Sequence, residues 1–70
     1  MKENCFSIPQ VKWVLGALSH LGFVYNNGAS DFARALDEAF SRWLKKGLRK
    51  DHEFICDLIL DAELLYSVRY

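Results

Sequence analysis

The sequence predicts a small all-α domain of three helices, at about residues 8–21, 31–46 and 52–68, assembled as a homodimeric helical bundle. Three observations carry this. Apolar residues recur at helical spacing in three stretches, breaks containing glycine separate those stretches, and each stretch opens on a residue type that caps helices. The dimer is expected from composition. The 70 residues form a single domain, 1–70, of which 51% are hydrophobic and 14% aromatic. A chain of this size hides only about 60% of its surface on folding, and small domains commonly make up the deficit with a partner chain.

The first helix has a clear start. Ser7 and Gln10 stand at capping-box spacing, and Pro9 falls in the first turn, where its missing N–H is no loss. Ile8, Val11, Val14, Leu15, Leu18 and Leu21 form its main arc. Gly22 reads as a left-handed C-cap, with Phe23 as the apolar residue that closes such a cap. The stretch "FVYNNGAS" then reads as an irregular connection. Its Phe-Val-Tyr is β-prone and Asn26-Asn27-Gly28 is a turn signal.

The second helix starts at Ser30 as N-cap, with Asp31 well placed against the helix dipole, and stops at Gly47. Phe32, Ala33, Leu36, Ala39, Phe40, Trp43 and Leu44 fill one arc about 140° wide. Arg34, Glu38 and Arg42 lie four apart on the opposite face, where they can pair weakly. "GLRKD" connects to the third helix, with Asp51 as its N-cap. There the main arc collects Phe54, Ile55, Leu58, Ile59, Ala62, Leu65 and Tyr66.

The residues outside these arcs mark candidate surfaces. Trp13 lies about 100° from Val14, near Ala17 and His20 and beside Gly16. A mid-helix glycine costs about 1 kcal/mol relative to alanine, so a close neighbour is expected there. Trp13 either packs under the connection of its own chain or belongs to a contact surface, where tryptophan is enriched. On the third helix Glu53, Asp57 and Asp61 repeat every four residues with Leu60 and Leu64 among them and Val68 nearby. Like charges at that spacing repel, so the face suits an apolar, basic partner or a dimer contact. The complementary feature is "RWLKKGLRK", where Arg42, Lys45, Lys46, Arg49 and Lys50 gather around one helix end. Cations there satisfy the helix dipole or pair with an acidic face.

Several chemistries are disfavoured. Nine basic and nine acidic residues cancel, which gives no global pull toward nucleic acid or anionic membrane. Read as a helix–turn–helix, the third helix would bring Glu53, Asp57, Asp61 and Glu63 to the phosphates, with only Arg69 at its far end. Cys5 and Cys56 are too few for a disulfide scaffold and point to a reducing cytoplasm. His52 and Cys56 sit four apart, and His20 and Cys5 would have to complete a metal set, but the spacings match no zinc module. A cysteine–histidine nucleophile pair has no substrate cleft to serve. Glu3, Pro9 and Lys12 argue against a signal peptide, and the charge-free stretch from Trp13 to Ser30 is too polar to span a bilayer.

The expected function is therefore that of a cytoplasmic, non-enzymatic protein-binding module without cofactor or metal. It would act as an adaptor or inhibitor, such as a phage- or mobile-element-type anti-activator of a bacterial regulator or motor protein. Its partners would be a second copy of itself and another protein, reached through the acidic-leucine face and exposed aromatics. The competing expectation is a DNA-associated transcription regulator that uses the basic run around Gly47.

Overall fold

The computed structural model describes residues 6–68 and contains three α-helices: α1 (Ile8–Tyr25), α2 (Ala29–Lys46) and α3 (Arg49–Tyr66). Each has 18 residues and is about 27 Å long. No strand occurs among the described residues, so the all-α, three-helix prediction holds. The middle helix carries the architecture. α2 packs along both α1 and α3, whereas α1 and α3 touch each other only lightly. The result is elongated, 37 × 20 × 17 Å.

The start of α1 is as the sequence predicts. Ser7 is extended (φ −115°, ψ 162°). Its Oγ accepts from the Gln10 N–H at 3.3 Å, and Gln10 Oε1 accepts from the Ser7 N–H at 3.4 Å. The end differs. Gly22 stays helical and buried, and α1 continues one turn further to a left-handed Asn26 (φ 49°, ψ 46°), whose N–H donates to the Gly22 carbonyl. Gly22 has a tertiary task instead of a capping one. A methyl on it would overlap the backbone and side chain of Ser30. Asparagine tolerates the left-handed conformation well enough to take over the cap. Phe23, Val24 and Tyr25 are consequently helical.

The start of α2 shifts for the same reason. Ser30 lies against Gly22 within the helix and is not its cap. Gly28 (φ 88°) stands at the cap position, and Asn27 Oδ1 accepts from the Ala29 N–H at 3.2 Å. The end of α2 is as predicted, with Gly47 at φ 65° and its N–H donating to the Trp43 carbonyl. α3 begins at Arg49, with Leu48 as its cap residue, so Asp51 lies inside the first turn. It ends at a left-handed Ser67 (φ 57°), beyond which Val68 turns back into the core.

The core comprises Val11, Val14 and Leu18 of α1, Leu36, Phe40 and three alanines of α2, and Ile55, Leu58, Ile59 and Ala62 of α3. Ala29, Ala33 and Ala39 make α2 thin where its neighbours lie against it. Phe6 and Val68 close the core from outside the helices. At one end Phe6 meets Trp43 edge-on, with ring centroids 5.3 Å apart, and lies 4.7 Å from His52. Trp43 in turn stacks on Phe40. At the other end Phe32 and Tyr66 meet edge-on at 5.7 Å.

Four residues assigned to core arcs are exposed: Ile8, Leu44, Phe54 and Leu65, at 43, 55, 44 and 68%. They flank their arcs. For Ile8, Phe54 and Leu65 the reason is that a helix covered by one neighbour buries a narrower stripe than its apolar arc, and α1 and α3 each rest mainly on α2; Leu44 lies in the last turn of α2.

Two substitutions test this arrangement by denaturant unfolding. Trp43→Ala removes the ring shared by Phe6, Phe40 and His52, and is expected to cost about 3 kcal/mol. Gly22→Ala forces α1 and α2 apart, and is expected to cost about 1–3 kcal/mol although alanine is the better helix former.

Candidate docking surfaces

All but one of the residues named for the acidic-leucine set lie exposed on the outward face of α3. Glu53, Asp57, Leu60, Asp61 and Leu64 are all exposed, the two leucines at 57 and 82%. At about 100° per residue, Leu60, Glu53, Leu64 and Asp57 fall within an arc of about 60°, with Asp61, Phe54 and Leu65 along its flank. Val68 does not belong to this face. The left-handed Ser67 ends the helix, and Val68 is buried at 4%.

On α1 the structure brings Trp13, Ala17 and His20 together around a shallow open depression of about 380 Å³ with Lys12 and Gly16. Trp13 is 46% exposed, Ala17 is half-buried and His20 is exposed. The Phe23–Tyr25 stretch is not a connection folded over Trp13, because it continues the helix. The close neighbour expected at Gly16 is not supplied by the described chain, since nothing lies within 4 Å of where its Cβ would be. Phe23, at 88%, and Val24, at 50%, join this face. Sequence reasoning missed both by ending the helix at Gly22. The signal was present in the spacing of Pro9, Trp13, Gly16, His20 and Phe23, which alternates four and three residues.

The basic run divides into three parts. Lys45 and Lys46 occupy the last turn of α2, where cations suit the dipole. Arg42 does not serve the α2 surface alone but reaches across to α3, where Nε and Nη2 both lie 3.2 Å from Asp51 Oδ1. The Asp51 side chain is only 4% exposed, and its Oδ2 is buried without a hydrogen-bond partner. Asp51 therefore links α2 to α3 and is not the predicted N-cap. Arg49 and Lys50 fall in the first turn of α3, against its dipole. Four exposed cations, Lys45, Lys46, Arg49 and Lys50, thus surround Gly47.

The metal and nucleophile alternatives meet a different obstacle. Cys56 Sγ lies 3.8 Å from His52 Nδ1, but Cys56 is disulfide-bonded. Its sulfur is neither a thiolate ligand nor a nucleophile in this form. Cys5, the only other cysteine of the chain, lies outside the described residues, as does Arg69. Among the described residues no three His, Cys, Asp or Glu side chains converge as a metal set. No helix among them is long and apolar enough to cross a membrane.

The charges at the start of α3 yield a prediction. Lys50→Glu exchanges an unfavourable dipole contact for a favourable one, and is expected to stabilise the fold by about 0.5 kcal/mol. That corresponds to a rise of about 2–4 °C in Tm at low salt, shrinking as salt is added. An unchanged or lower melting temperature would show that Lys50 has a stabilising contact within the chain.

Comparison of the chain with protein-family models, with curated proteins and with solved structures gives no match. Its function has to be read from its own surfaces.

Proposed function

We propose that the chain is a non-enzymatic protein-binding module that works as a homodimer and docks a basic, apolar segment of another protein on α3. The observation that carries this reading is the exposure of Leu60 and Leu64, at 57 and 82%, among Glu53, Asp57 and Asp61. Burying a leucine side chain gains about 1.5–3 kcal/mol, so a partner that covers both gains appreciable affinity. The carboxylates set the partner's character. They repel one another along the helix by a few tenths of a kcal/mol, and a partner bearing lysine or arginine relieves that repulsion. They also disfavour acidic partners and nucleic acid. The most concrete form of the reading is an inhibitor: an acidic helix bearing leucines that masks a basic surface, as a phage-type anti-activator of a bacterial regulator or motor protein would.

A second reading rests on the four cations around Gly47, which suit a DNA backbone. Glu53 stands one turn from Arg49 on the same helix, so any duplex reaching the cations also meets the acidic face.

A defined probe separates the two. A helical peptide of leucine and lysine is expected to bind the chain, weakening as salt rises from about 50 to about 200 mM. Its leucine–glutamate counterpart should not bind. Leu60→Glu with Leu64→Glu should lower affinity for the lysine peptide at least about tenfold, a loss of about 1.4 kcal/mol, with helicity by circular dichroism unchanged. Peptide binding indifferent to both substitutions, together with a salt-sensitive gel shift of duplex DNA, would move the function to the basic corner.

A further inference from the structure

We infer that the second copy of the chain docks antiparallel along the outward face of α1, over Gly16, leaving the α3 face free for a partner of different charge. This rests on the homodimer proposed above and assigns its contact surface.

The first support is the seam itself. Pro9, Trp13, Gly16, His20 and Phe23 follow one another at spacings of four, three, four and three residues, the pattern by which one helix keeps a continuous line against another. At about 100° per residue, these and Val24 occupy an arc of about 100°, and the line is about 21 Å long. It ends on Phe23, 88% exposed, and carries Trp13 at 46%.

The second support is the contrast between the two helical glycines of α1. Both lie inside the helix, where each costs about as much as a weak hydrogen bond contributes. At Gly22 the space is used, because Ser30 of α2 occupies it. At Gly16 no described residue within 4 Å uses it, and the residue floors an open depression with Trp13 and His20. A second helix laid across Gly16 would fill that space as α2 fills the one at Gly22.

The third support is self-complementarity. A twofold contact places a residue against the one equidistant from the axis in the other copy. The midpoint of Trp13 and Phe23 in the sequence is Leu18, which is also the midpoint of Gly16 and His20. An axis over Leu18 therefore sets Trp13 against the other copy's Phe23, and His20 over the other copy's Gly16. Large meets large at the ends, and large meets small on either side of the centre. No Lys, Arg, Asp or Glu lies on the arc; Lys12 stands about 20° beyond its edge, and its two copies lie about 18 Å apart along the helix axis, beyond the screening length of physiological salt.

The α3 face fails the same test. Asp57 is midway between Glu53 and Asp61, so an axis there sets every carboxylate against another. An axis centred on Leu60 and Leu64 brings the two Asp61 copies within one turn of each other. A single helix pair lies at the small end of interfaces, and the expected association is micromolar.

Sedimentation equilibrium over a concentration series tests the assignment. Gly16→Leu is the informative variant: no described residue lies within 4 Å of where its Cβ would stand, and leucine raises helix propensity, so Tm at low concentration should be equal or higher. Its dimer dissociation constant should rise at least about tenfold, and Phe23→Glu should act the same way. Leu60→Glu with Leu64→Glu should leave the dimer unchanged. The lysine peptide should bind monomeric Gly16→Leu as it binds wild type. A wild-type chain monomeric at several hundred micromolar overturns the seam, while retained peptide binding would leave the α3 reading standing. A dimer that survives Gly16→Leu but is lost in the α3 double variant overturns the seam and gives the α3 face to the second copy.

Discussion

The approach of α1 to α2 at Gly22 is the constraint on which most of the structure depends. Because Gly22 has no side chain, Ser30 and the start of α2 come in against it, and Ala29 and Ala33 continue the close contact as buried small residues. To hold that geometry Gly22 must remain helical. Helical geometry at Gly22 carries α1 on to Tyr25 and moves the left-handed turn to Asn26. That in turn sets Phe23 and Val24 on the outward face of α1, in line with Trp13. One glycine therefore fixes the crossing of two helices, the length of one, the start of the other and the composition of an exposed surface.

The features legible in the sequence are those decided locally. Ser7, Pro9 and Gln10 specify a helix start through atoms three residues apart, and Gly47 specifies a stop with its own φ. The α2 stripe was legible because α2 is flanked on two sides, so nearly the whole apolar arc is covered. The errors have one common source. Glycine and aspartate serve both at caps and in tertiary contacts, and the choice depends on a partner distant in sequence. Gly22 looked like a cap but makes room for Ser30. Asp51 looked like a cap but takes the charge of Arg42 from the preceding helix. Periodicity likewise gives the direction of a face without saying how wide a neighbour will cover it, so Ile8, Phe54 and Leu65 were placed in cores that do not reach them. For the candidate sites, Glu53, Asp57, Leu60, Asp61 and Leu64 were legible because they are exposed by helix geometry alone. Val68 was not, because its burial depends on the left-handed turn at Ser67.

The corner between α2 and α3 is held by a different set of forces. Asp51 is almost fully buried, with one oxygen on Arg42 and the other without a partner. A buried carboxylate of this kind is weak support for stability by itself, since desolvation offsets much of the attraction. It is strong support for geometry, because α3 can swing away from α2 only by stripping that carboxylate of its cation. Phe6, Trp43 and His52 close over the same end, and Cys56, one turn along α3, is tied by its disulfide. The start of α3 is thus fixed by ionic, aromatic and covalent contacts, while its far half, with Leu60 and Leu64, projects exposed side chains from a rigid base.

The middle position of α2 gives the proposed function its geometry. Since α1 and α3 each rest on α2 and barely on each other, each keeps an outward face, and the two faces lie on different helices. Contact on one need not cover the other. In the proposed dimer the two α1 helices are joined and each copy still presents its own α3. Such an arrangement offers two equivalent acidic-leucine faces to a partner with repeated basic segments. The second contact is then intramolecular, and its gain depends on whether the partner's spacing matches that of the two faces. A modest face on a small chain thereby gains affinity without a larger interface, which suits a domain whose size leaves little surface to enlarge. The same logic accounts for the reversed charges at the start of α3. Arg49 and Lys50 disfavour the helix terminus slightly, but they lie one turn before Glu53 and separate the acidic face from the end of the molecule. In the proposed complex a basic segment would thereby be held to the stretch between Glu53 and Leu64, where the exposed leucines are.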